Sequence, residues 1–116
     1  VQCADRALSL SPLDPMNYYF NSLASTANLI GERYERAIEL ATRSLRENRL
    51  HTPTLRTLAA ALVHSGRLDE ARETVCRLRE LEPALTVRAF EARYPGRDSP
   101  QAARFGAALL AAGLPA

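Results

Sequence analysis

One short phrase occurs twice in this chain, as Arg33-Tyr34-Glu35-Arg36-Ala37 and as Arg67-Leu68-Asp69-Glu70-Ala71, with the two alanines 34 residues apart. A period of that length is the length of a helical hairpin. Two short amphipathic helices cannot bury their apolar faces alone, so such hairpins stack on neighbouring copies and build a curved array with an inner surface. The repeat predicts an all-α fold, a short right-handed superhelix of antiparallel helix pairs, and a binding scaffold.

The clearest pair runs from 53 to 83. Leu55, Leu58, Ala59 and Leu62 recur at helical spacing until Gly66 breaks the run; Leu68, Ala71, Val75, Leu78 and Leu81 answer it and stop at Pro83. The preceding pair repeats the second half, with Tyr34, Ile38, Ala41 and Leu45 on one stripe. Small Ala37 and Ala71 mark the points of close helix approach, where a larger side chain would hold the partners apart.

The first helix of that earlier pair is less regular. It follows the Ser11-Pro12-Leu13-Asp14-Pro15 break, and Phe20, Leu23, Ala24 and Ala27 supply its best apolar stripe, with Phe20 expected in the core and Tyr19 outside it. Pro12 and Arg49, at equivalent helix ends, are 37 residues apart against 34 from Arg49 to Pro83, which predicts about three extra residues in the helix 15–30 or its turn. Gly31 also comes one residue before the place that Gly66 occupies, so the turn is expected to be distorted.

Segmentation follows as one domain over 1–116: residues 1–12 as the end of a truncated repeat, 13–49 as a repeat with a longer first helix, 50–83 as a regular repeat, and 84–116 as a degenerate half-repeat with a C-terminal capping helix. Asp98 or Ser99 suits the start of that last helix, Pro100 its first turn and Gly113 its end. Its apolar face is either Ala103, Ala107, Leu110 and Leu114 or Phe105 and Leu109. Because its opening already reads as the second half of a hairpin, the chain is expected to be a fragment.

Charge narrows the partner class. All fifteen basic side chains are Arg, balanced to a net +2 and interleaved with Glu along the helices, the pattern of solvated faces with local ion pairs. No basic block or aromatic stacking set accompanies them, so nucleic acid is not the expected ligand. No apolar run approaches the roughly 20 residues of a membrane span. The absence of Lys beside abundant Ala, Arg and Leu suggests a GC-rich bacterial genome. Cys3 and Cys76 lack metal-ligand spacing; Cys76 is expected to be a buried free thiol and the compartment reducing, hence cytoplasmic.

Catalytic patterns are not found. His51 and His64 have no Cys, Asp or second His at ligand or triad spacing, and Asp69 and Glu70 open a helix, where acidic side chains complement the macrodipole. No metal, cofactor or catalytic residue is assigned.

These residues resemble the tetratricopeptide repeat, above all in Gly66-Arg67-Leu68-Asp69-Glu70-Ala71 followed by Leu81-Glu82-Pro83. A narrower resemblance rests on Leu10-Ser11-Pro12-Leu13-Asp14-Pro15, Tyr18-Tyr19-Phe20, Leu85-Thr86-Val87-Arg88, Tyr94-Pro95, Arg97-Asp98 and the terminal Ala112-Gly113-Leu114-Pro115. It is similar to the C-terminal tail of bacterial multidomain signalling proteins, which follows either a class III adenylate/guanylate cyclase domain or a winged-helix DNA-binding domain. That resemblance implies a non-catalytic regulatory region, with any cyclase residues upstream; a free-standing adaptor is the remaining alternative.

Stacked hairpins turn their first helices inward, which makes the inner side of helices 15–30 and 53–65 the expected binding face. Its lining is predicted as Tyr19, Leu23, Arg56, Ala60, Val63 and His64, suited to a protein or peptide segment with apolar and acidic side chains; self-association is a second expected use. Family members that grip chaperone carboxylates use groove Lys, Asn and Arg. This chain has no Lys and places Leu23 and Ala60 where the Asn is expected, so that clamp is not predicted.

Overall fold

The computed structural model describes residues 17–93 and 99–116, and among them every regular element is helical. In chain order these are α1 (Asn17–Ile30), α2 (Tyr34–Glu47), α3 (Thr52–His64), α4 (Leu68–Leu81), α5 (Val87–Arg93) and α6 (Pro100–Ala111). The fold is an all-α helical repeat. α1 pairs with α2 and α3 with α4, while α3 also packs against α1, α2 and α6.

The repeated alanines sit where the paired helices meet, and both are fully buried. At the first crossing the Ser25 hydroxyl donates to the Ala37 carbonyl at 2.6 Å, which needs a small residue on each helix. A polar strut joins the hairpins: Ser44 Oγ lies 3.1 Å from Thr54 Oγ1, and Thr54 is 2.7 Å from His51 Nδ1. His51, in the connection between α2 and α3, is the N-cap residue of α3 through its carbonyl, which accepts from the Thr54 and Leu55 amides. Around α3, Leu55, Leu58, Ala59, Ala60, Ala61 and Leu62 are all buried, so neighbours surround this helix.

The two hairpin turns are the same turn. The Arg33 amide bonds to the Asn28 carbonyl at 2.8 Å and the Arg67 amide to the Leu62 carbonyl at 2.9 Å. The expected distortion is not found; instead Glu32, the 34-residue counterpart of Gly66, takes a φ of 62° where Gly66 takes 78°. Strain replaces distortion, because a side chain in the left-handed region crowds its own backbone. The described part of α1 and its turn contains no three-residue insertion, since Ile30 keeps the 34-residue offset from His64 and Tyr34 from Leu68. That expectation also takes in residues 15 and 16, which lie outside the described residues.

α1 is rotated away from the expected phase. Ser22, Ser25 and Leu29 form its buried side, whereas Phe20, Leu23 and Ala27 are exposed. Phe20 is therefore not a core residue. Tyr18 turns inward in its place, its ring 5.1 Å from that of His51.

The C-terminal helix caps the core with its second candidate face. Phe105, Ala108 and Leu109 are buried, while Ala103, Ala107 and Leu110 are exposed. Ser99 is the cap residue, accepting from the Ala102 amide at 3.2 Å, and Asp98 lies outside the described residues. Phe105 packs on Phe90 of α5 at 4.8 Å between centroids. The chain end closes the pair, as the Val87 amide bonds to the Pro115 carbonyl at 2.8 Å.

Cys76 departs from expectation. It is disulfide-bonded, and no described cysteine is free; the chain's other cysteine, Cys3, lies outside the described residues. The free-thiol argument for a reducing compartment is thereby removed. Among the described residues no helix is long and apolar enough to cross a membrane.

Candidate protein-interaction face

The six residues expected along the inner face fall into two groups. On α1, Tyr19 is 41% and Leu23 51% exposed, beside Ile30 at 44% and Phe20 at 59%. Over its 14 residues α1 carries no charged side chain. This is an apolar, uncharged surface.

The α3 group is mostly covered. Arg56 donates to Glu82 Oε1 at 3.1 Å and lies 5.9 Å above the Phe90 ring, so it serves the junction with α5. Burial lowers its pKa; Glu82 opposes this and Arg93 adds to it, yet a guanidinium so placed stays charged at neutral pH. Ala60 is fully buried and Val63 packs against the core. Ala60 therefore offers no side chain to an open groove, while Val63 is half-buried.

The cover is α6. Its first turns lie against the carboxyl ends of α1 and α3, where Leu29, Ile30, Ala60, His64, Gln101, Arg104 and Phe105 line a small, half-open apolar pocket. Arg104 reaches back to the first hairpin, donating to Tyr34 Oη at 3.0 Å and pairing with Glu32 at 3.6 Å. His64 stacks on Tyr34 with centroids 4.8 Å apart and rings 17° from parallel. Burial first, and then Arg104, hold the His64 pKa below the ordinary imidazole value, against a smaller pull from Glu32. The open part of the inner face is therefore bounded by α1 on one side and the start of α6 on the other.

Sequence reasoning missed Ile30, Tyr34 and Arg104. Ile30 was within reach, because it is the 34-residue counterpart of His64. Arg104 was not, since α6 has no counterpart in the repeat. A second cleft lies between α2 and α4, floored by Ile38, Leu45, Leu58 and Leu62 and rimmed by Arg46, Glu73 and Arg77.

Among the described residues no group of three His, Cys, Asp or Glu side chains could hold a metal ion. No curated protein and no solved structure matches the chain. The sequence model of the tetratricopeptide repeat matches residues 29–94, more than half of it. That match spans the α1–α2 turn, both helices of the regular hairpin and α5, so the chain belongs to the tetratricopeptide repeat family.

Proposed function

We propose that this domain is a non-catalytic protein-interaction scaffold whose working surface is the open inner side of α1, continued onto His64 and Arg104. The observation that carries this reading is the set of exposed apolar side chains Tyr19, Leu23 and Ile30 on a helix without charge. Aromatic and apolar anchors beside an Arg are the residues that dominate protein interfaces. The matching partner is a peptide segment that brings apolar side chains to α1 and an acidic one to Arg104.

The parent protein in this reading is a bacterial class III nucleotide cyclase, where partner binding or self-association alters how two catalytic domains pair. A winged-helix regulator is the alternative parent, and a free-standing adaptor the third. The tail resemblance supports the first two. A cytoplasmic setting belongs to the same reading, and the disulfide at Cys76 weighs against it.

The test begins with a partner captured by the immobilised domain. Tyr19→Ala with Ile30→Arg is then compared with Arg43→Glu plus Arg46→Glu on α2. Loss of binding from the first pair alone supports the inner face; equal loss from the α2 pair, with both proteins folded, removes it. Arg56 is unsuitable as a probe because its ion pair with Glu82 is structural.

A further inference from the structure

The cleft between α2 and α4 shares no lining residue with the inner face of α1. Its two walls start side by side, because Arg67 at the head of α4 reaches Glu35 at the head of α2 at 3.8 Å and holds Glu70 at 2.6 Å. Paired charges thus close that end. The floor is apolar, built from Ile38 and Leu45 of α2 with Leu58 and Leu62 of α3. Thr42 and Thr74 also line the cleft, but their hydroxyls donate to the Ile38 and Glu70 carbonyls of their own helices, each at 2.8 Å. Neither hydroxyl proton is free.

Towards the other end the charges are unpaired. Arg46, late in α2, and Arg77, late in α4, line the cleft together with Glu73, and among the described residues none of the three has an ion pair. Arg77 is half-buried, so its guanidinium loses water without gaining a partner. The cleft offers about 310 Å³, at the lower end of the roughly 300–1,000 Å³ of small-molecule sites. We infer that it binds a fatty carboxylate, whose aliphatic chain lies along the floor and whose head is held by Arg46 and Arg77. Guanidinium forks match a carboxylate in shape as well as charge. Two guanidiniums beside the Glu73 carboxylate leave one positive charge, which a singly charged head neutralises and a phosphate dianion exceeds.

The experiment titrates the intact chain with dodecanoate below its micelle concentration, followed by calorimetry and backbone amide shifts. Saturable binding is expected, with shifts on Thr42, Arg46, Glu73 and Arg77. Arg46→Ala with Arg77→Ala is expected to weaken it by about tenfold or more, whereas Tyr19→Ala with Ile30→Arg leaves it unchanged. Thr42 is exposed, so Thr42→Phe narrows the cleft without touching charge or core and is expected to weaken binding while the melting temperature holds. Dodecyl phosphate is expected to bind less tightly and dodecyltrimethylammonium not at all. Absence of saturable binding, unchanged affinity in the Arg pair or in Thr42→Phe, or equal binding of the cationic amphiphile overturns the proposal. Shifts centred on Tyr19, Leu23 and Ile30 also overturn it, and place the aliphatic chain on α1. Dodecyl phosphate binding as tightly as dodecanoate overturns the carboxylate assignment.

Discussion

Arg104 of α6 donates to the phenol of Tyr34 at 3.0 Å across 70 residues of sequence, fastening the C-terminal cap to the turn of the first hairpin. The same guanidinium reaches Glu32 and acts on His64, which stacks on Tyr34. Because these groups are largely exposed, the contact contributes position more than stability. Arg104→Ala is expected to destabilise by less than about 1 kcal/mol and to raise the His64 pKa toward the ordinary value of 6.5. An imidazole titration followed by NMR checks the shift, and an unmoved or lower pKa would contradict the placement of Arg104.

Both histidines give the fold a pH dependence of one sign. Burial is the first cause of the lowered pKa at His51, with Arg56 second, and burial again leads at His64. The unfolded chain then binds protons that the folded chain refuses. The stabilising contribution is present above pH 6.5 and is lost as pH falls through the depressed folded values. Thermal melts at pH 7.5 and 5.5 are expected to show a drop that narrows in the His51→Gln, His64→Gln double variant.

Glu32 holds the backbone conformation that glycine holds in the neighbouring turn. Glu32→Gly is expected to stabilise by about 1 kcal/mol through relief of the left-handed penalty, the exposed contact to Arg104 being worth less. Calorimetry decides it: a lower melting temperature for the variant would mean that the ion pair outweighs the strain.

Ala71 is fully buried at the α3–α4 crossing. Ala71→Leu is expected to destabilise by about 1 to 3 kcal/mol through overpacking, read from chemical denaturation. A variant that unfolds with the wild type would show that the helices do not meet there.

What could be read from the sequence was what is local and repeated. The helices α2, α3 and α4, the turn at Gly66 and the paired alanines follow from period and spacing, because each is specified by residues within one hairpin. The rotation of α1 could not be read in the same way. Its buried side is built from Ser22 and Ser25, whose small size suits the crossing, with the Ser25 hydroxyl satisfied by the Ala37 carbonyl, while its most apolar stripe faces outward. A hydrophobicity pattern assigns such a helix to the wrong phase. The covering of Ala60 by α6 was equally invisible, since that contact joins residues distant in sequence with no counterpart 34 residues away. Of the expected lining, Tyr19, Leu23 and His64 stand exposed, whereas Arg56, Ala60 and Val63 are taken up by the chain itself.

The most direct measurement of the account is a titration of isotope-labelled domain with a captured partner, following backbone amide shifts residue by residue. The inner-face reading predicts that the largest shifts cluster on Tyr19, Leu23, Ile30, His64 and Arg104, with Arg46, Glu73 and Arg77 unmoved. Shifts concentrated on those last three, along the cleft between α2 and α4, would contradict it.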